Sequence, residues 1–171
     1  MTLGPLRPSY RSRLAELLVA TGAFRPDEVD IALSLFDLSL DSAARDRDDP
    51  TDYQFLGAFD DGRLVGYACF GATPATVGTY DLYWLAVDPA AQGRSVGRAL
   101  VQAVERTLAA RTARLLLVET SSRVDYAGTR EFYVRNGFTE AARVRDFYAP
   151  ADDRIVFTTR LTTRERGAST R

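Results

Sequence analysis

The sequence has no histidine, no lysine and one cysteine in 171 residues. Each absence removes a class of chemistry. Without histidine there is no Ser-His-Asp triad, no Cys-His pair and no imidazole-ligated metal, and no metal site is expected. Without lysine there is no G-x-x-x-x-G-K-[ST] phosphate loop, and G-x-G-x-x-G is missing as well. The lone Cys69 excludes an intrachain disulfide and suits a reducing compartment. Its place in an apolar strand reads as core packing rather than as a nucleophile. No run approaches membrane-spanning length, and the opening MTLGPLRPSYRSR has no apolar core of a signal peptide. The expectation is therefore a cytoplasmic location and no membrane partner. A net charge of −1 gives no electrostatic footprint for nucleic acid.

What is present is an ordinary globular composition, 46% hydrophobic and 26% charged. The length suits one domain, expected over residues 1–163, with a frayed polar tail at 164–171. All 22 basic residues are arginine, which reads as coding bias.

Turn chemistry and periodicity divide the chain. Leu3–Leu6 reads as a short strand. Pro8-Ser9 opens a helix with Leu14, Leu17, Leu18 and Thr21 on one face, ended by Gly22. Pro26-Asp27-Glu28 opens a second, with Val29, Leu33, Phe36 and Leu40 as its apolar stripe. Ser42–Pro50 reads as a loop. Tyr53–Phe59 and Arg63–Ala72 read as a hairpin around Asp60-Asp61-Gly62. Thr79–Val87 is a long central strand, Arg114–Glu119 a buried one, Ser121–Gly128 a loop and Thr129–Arg135 a short helix closed by Asn136-Gly137. Phe138–Val144 and Arg154–Leu161 close the chain around FYAPADD.

The organising stretch is Tyr83–Ala110. An apolar strand stops at Asp88-Pro89. A helix follows with Val96, Ala99, Leu100, Ala103, Val104 and Leu108 on one face. Between them runs Gln92-Gly93-Arg94-Ser95-Val96-Gly97-Arg98. Small residues there let a ligand approach the backbone, and a new helix offers unpaired N–H groups at its positive end. With Arg94 and Arg98 nearby, the stretch reads as an anion site suited to a phosphate or diphosphate. The plainer alternative is a strand–turn–helix connection with two solvated arginines.

LAVDP followed by Gln92, Ser95 and Gly97 resembles the acetyl-CoA signature Q/R-x-x-G-x-G/A of the GCN5-related N-acetyltransferases (GNAT), with Ser95 in place of the first glycine. The downstream Glu131–Phe138, EFYVRNGF, is similar to the family's "LYEK-GF" helix. The resemblance runs over roughly Tyr53–Leu161. It implies an α/β fold, β-α-α-β-β-β-α-β-α-β-β, with a mixed sheet split in a V after its fourth strand. It further implies that the backbone of Leu85, Ala86 and Val87 pairs with pantetheine amides and that Gln92–Arg98 holds the diphosphate. Tyr126 stands where the family often has a cofactor-contacting asparagine, and Thr129 where a small alanine is usual. For Ser95 two readings stand open. Positive φ would strain it, whereas ordinary first-turn backbone, the reading preferred here, would make it a good helix-start residue.

Acetyl transfer to an amine needs a held thioester, a base for the amine, donors for the oxyanion and an acid for the thiolate. The resemblance makes Tyr133 the acid; a free phenol's pKa, about 10, is close to that of a thiol. The alternative role for Tyr133 is a ring plugging the sheet edge. Asp81 is the first choice of base, since strand alternation puts Asp81, Tyr83, Leu85 and Val87 on one face. Its alternative is an ion pair with an arginine. Glu119 is the second choice, and a water relay the third. The Val87 N–H is the expected carbonyl donor. Phe24 and Arg25 lie where the family's acceptor pocket is walled.

The reading is thus an acetyl-CoA-dependent N-acetyltransferase acting on the primary amine of a small molecule, by direct transfer in a ternary complex; a homodimer is compatible with it. Competing readings are a non-catalytic acyl-CoA-binding module and, from an unrelated class, a nucleotide hydrolase.

Overall fold

In the computed structural model, residues 1–45 and 53–161 are described. The chain order is strand β1 (Thr2–Pro5), helices α1 (Arg11–Thr21) and α2 (Pro26–Arg45), strands β2 (Gln54–Asp60), β3 (Arg63–Ala72) and β4 (Thr79–Val87), helix α3 (Val96–Ala109), strand β5 (Leu115–Ser121), helix α4 (Ala127–Arg135), and strands β6 (Thr139–Ala149) and β7 (Asp152–Arg160). Single 3-10 turns precede α1, α3 and α4. The strands form one seven-stranded sheet in the order β1-β2-β3-β4-β5-β7-β6. Only β4 and β5 run parallel among the neighbouring pairs. The expected order of elements is therefore the observed one.

Two apolar layers sandwich the sheet. On one face α1 and α2 pack Leu14, Leu17, Leu18, Leu33 and Phe36 against Tyr67 and Cys69 of β3. On the other, α3 packs Val96, Leu100, Val104 and Leu108 with Phe70, Leu82, Leu116 and Ile155. Alternation along β3 supplies both layers, which is why nearly every residue of that strand is buried. Burial pushes the Cys69 thiol pKa well up, so it stays a neutral core group.

The turns follow their chemistry. Gly22 caps α1 at φ 63°, and Asp61 and Gly62, at φ 46° and 78°, close the β2–β3 hairpin. Several boundaries differ; strand β5 runs on to Ser121 and β7 starts at Asp152, each two residues beyond expectation. Helix α2 continues to Arg45, so residues 42–45 are helical rather than loop; the rest of that expected loop, and the tail at 164–171, lie outside the described residues. Helix α4 starts at Ala127, two residues early. Strand β6 extends to Ala149, into the stretch expected as a turn. It is exposed along its whole length, so no alternation marks its end.

Candidate active site

The site is built by the parting of β4 from β5. They share three register pairs, Thr79–Leu115, Tyr80–Leu116 and Asp81–Leu117, and then diverge. Beyond them, Leu82–Val87 and Val118–Ser121 form the two arms of a V.

One arm carries an irregularity. Phe70 pairs with Leu82 and Cys69 with Trp84, leaving Tyr83 as an extra residue. Such a bulge inverts the side-chain parity of a strand. Asp81 and Tyr83 lie on the α1/α2 face, while Leu85 and Val87 pack on the α3 face. The expected common face for Asp81, Tyr83, Leu85 and Val87 is corrected accordingly. Alternation fails because one residue is inserted without a partner.

On the α3 side lies a cavity of about 710 Å³, lined by Leu85 and Val87 from the strand, by Gln92, Gly93, Ser95, Val96, Gly97 and Arg98 from the loop and helix start, and by Thr129, Phe132 and Tyr133 from α4. The first bond of α3 runs from the Ala99 N–H to the Ser95 carbonyl at 3.0 Å. The N–H groups of Val96, Gly97 and Arg98 therefore have no partner within the helix and are available to an anion. Gly93 sits at φ 74°. A Cβ on Gly97 would lie 3.2 Å from the Phe132 ring, a tight contact that the ring would have to relieve by shifting a few tenths of an ångström. Ser95 has φ 62° and ψ 15° and caps nothing with its hydroxyl. It takes the left-handed backbone of the glycine it replaces, contrary to the preferred reading. The chain's need to turn into α3 overrides the residue's own preference.

Three of the residues expected here stand elsewhere. The Arg94 guanidinium is turned away to Asp60, 2.7 Å from its Oδ2. Ala86 is 3% exposed, with its side chain in the α1/α2 layer, so only its backbone can reach a ligand. Tyr126 lines the other cavity, and its hydroxyl donates to the Ala23 carbonyl at 2.8 Å.

That second cavity, about 400 Å³, opens on the α1/α2 side. Asp81 and Glu119 both line it, with Phe24 and Arg25 from the α1–α2 connection, Glu28 from the start of α2, and Trp84, Arg123, Tyr126, Tyr148 and Asp152 around them. Asp81 accepts a hydrogen bond from the Thr73 hydroxyl at 2.6 Å. It has no ion-pair partner among the described residues, so the expected alternative of an arginine pair is not what the structure shows. Burial first, then the Asp81 charge, pushes the neighbouring Tyr83 phenol up to about 12. Glu119 is paired with Arg154. Asp152, 7% exposed, accepts from the Ser121 hydroxyl and has no cationic partner among the described residues.

Sequence reasoning did not reach Asp152, Tyr148 or Trp84. Asp152 lies in a stretch that read as a turn, and only the β6–β7 hairpin carries it to the site. No local pattern could have marked it.

Tyr133 is 5% exposed and packs edge-on to Phe132 and Phe138, with centroids at 5.4 and 5.5 Å. Burial raises its phenol pKa above the ordinary value. The expected match to a free phenol's acidity is therefore shifted: the proton is held more tightly, and the group stays neutral across the working range. The ring packs and also lines the larger cavity, so the two readings of Tyr133 are compatible.

The family model for the GNAT acetyltransferases matches residues 18–138. The chain belongs to the GNAT acetyltransferase family. A GNAT-family protein from Desulfovibrio desulfuricans is 38% identical, with a TM-score of 0.87 over 94% of this chain and 99% of that one. An aminoglycoside 6′-N-acetyltransferase in complex with coenzyme A is similar at 14% identity, TM-score 0.72, over 95% and 98% of the two chains. The ribosomal-protein-S18-alanine N-acetyltransferase of Escherichia coli is similar at 20%, TM-score 0.68, over 99% and 98%. At these last two identities the likeness is one of fold. Their names give two unlike acceptors, so the GNAT fold alone does not choose one. Among curated proteins nothing matches. This GNAT chain has no helix among its described residues long and apolar enough to cross a membrane.

Proposed function

We propose that this GNAT acetyltransferase moves the acetyl group of acetyl-CoA directly onto the primary amine of a small cationic molecule. The observation that carries this reading is a pair of carboxylates, Asp81 and Asp152, lining one cavity with no cationic partner among the described residues. Arg25 and Arg123 line the same cavity but are paired to Asp27 and Asp125, so half-buried Asp81 and buried Asp152 have no ion pair of their own, which is costly. An ammonium substrate supplies the counter-charge.

The larger cavity fits coenzyme A by the chemistry of its lining. It offers free N–H groups at Val96–Arg98, the Arg98 guanidinium and a glycine whose Cβ would crowd Phe132. Bound there, acetyl-CoA would supply an activated acyl group and a thiol leaving group. The unpaired inner edge of Leu85–Val87 can hold extended amides as a neighbouring strand would. Asp81 takes a proton from the amine nitrogen, directly or through water, and the Val87 N–H faces the thioester carbonyl. The Tyr133 hydroxyl gives its proton to sulfur as the C–S bond breaks. Glu119, neutralised by Arg154, orders the acceptor wall rather than acting as base.

Mass spectrometry of an amine panel with acetyl-CoA tests this reading. Mono-acetylated small amines carrying no negative charge are expected. Acetylation confined to anionic amines or to peptides would overturn the acceptor class, and tight coenzyme A binding without any turnover would favour a binding module.

A further inference from the structure

Thr120 is 5% exposed, and its Oγ1 is buried with no hydrogen-bond partner among the described residues. A strand that merely needed a β-branched residue there would carry valine, which fills the same space without a buried hydroxyl left unmatched. The position explains the hydroxyl. Register pairs Thr120 with Ile155 and Val118 with Phe157, so Thr120 faces the α3/α4 side with those core residues. The Tyr133 ring lies 6.2 Å from that of Phe157. Thr120 is one pleat repeat beyond Val118, roughly 7 Å along β5. It is also three residues past Leu117, where pairing with β4 ends. Across the gap, Leu82 has its side chain on the same face, yet both Leu82 and Thr120 line the acceptor cavity. The acceptor cavity therefore reaches the split at Thr120, a residue on the face of the sheet that also carries Tyr133.

We propose that the Thr120 hydroxyl donates a hydrogen bond to the carbonyl oxygen of the bound acetyl group, holding it at the split between β4 and β5. This rests on the acetyl-transfer reading above. The carbonyl oxygen is the acyl group's acceptor atom, and it gains negative charge as the amine nitrogen adds to the carbon. A donor fixed on a strand therefore binds most strongly when the barrier is crossed. The orphaned hydroxyl then has a partner only in the loaded enzyme.

Thr120→Val and Thr120→Ser test the assignment. The Val variant is expected to melt at the parent temperature or above it without ligand. By titration calorimetry it should keep its affinity for coenzyme A and lose several-fold for acetyl-CoA. Its kcat should fall about a hundredfold, and the Ser variant should recover most of that loss. A Val variant that melts several degrees lower overturns the proposal, because the hydroxyl then has a partner inside the fold. One that keeps both kcat and the preference for acetyl-CoA over coenzyme A overturns it too. Parent protein that binds neither compound sinks the acetyl-transfer reading itself; a normal parent with an indifferent Val variant sinks only the role of Thr120.

Discussion

Asp81 and Leu85 stand four residues apart on β4 and face opposite sides of the sheet. The extra residue between them, Tyr83, makes one strand serve two chambers. Its first half presents a carboxylate to the smaller cavity, and its second half presents apolar side chains to the larger one.

That division makes Asp81 and Glu119 unequal. Asp81→Asn should flatten the basic-limb pH dependence of kcat/KM and lower it at neutral pH by more than about tenfold. Glu119→Gln should act mainly on KM, since it releases Arg154 into the acceptor wall. The two pH profiles check this. An unaltered Asp81→Asn profile would pass the role of base to water.

The two arginines of the anion loop should separate as well. Arg98 lines the cavity, whereas Arg94 is engaged with Asp60. Arg98→Ala should weaken coenzyme A about tenfold, the size of one charge-assisted hydrogen bond. Arg94→Ala should change affinity by about twofold or less. Calorimetric titration of both variants reads the difference; equal losses would put Arg94 back on the ligand.

Ser95→Gly should stabilise the protein. A left-handed serine costs about 1 kcal/mol relative to glycine, and the hydroxyl caps nothing in return. A rise in melting temperature of roughly 2–4 °C is expected for a chain of this size. A lower melting temperature would mean that the serine makes a contact worth more than its strain.

Alkaline pH should unfold the chain earlier than its exposed groups alone require. Tyr67, Cys69 and Tyr133 are buried, and burial raises each pKa above its unfolded value. The native state then holds protons that the unfolded chain releases. Stability is complete below the unfolded values, about 8.5 for the thiol and about 10 for the phenols, and falls as pH rises past them, by about 1.4 kcal/mol per pH unit for each group. Denaturant midpoints measured from pH 7 to 11 check the sign, and a Cys69→Ala variant should delay the onset. A flat midpoint across that range would contradict the burial of all three.

Much of this was legible in advance because the turns carry their own chemistry. Gly22, Asp61-Gly62 and Asn136-Gly137 each close an element where expected. The loop before α3 was legible as a place to look, since its small residues precede an amphipathic helix, and Gln92, Gly93, Ser95 and Gly97 do line a cavity; the same pattern also fits a plain strand–turn–helix connection. The bulge at Tyr83 was hidden, since inserting one residue into YWLAV leaves the segment as apolar as before. The extension of β6 was hidden because a strand exposed on both faces has no alternation to read. Thr120 reads as one more β-former, and only the missing partner in three dimensions sets it apart.

Among the described residues, one half of the sheet is stitched to the other by three rungs between β4 and β5 and by the Arg114 and Leu115 N–H groups on the Gly78 carbonyl just before them. The halves beyond them behave as two leaves on a short spine, each with a raw inner margin. A molecule lying along that margin acts as a splint. Amide deuterium uptake at Leu82–Val87 should slow when the gap is filled, far more than at the fully stitched β2–β3 pair.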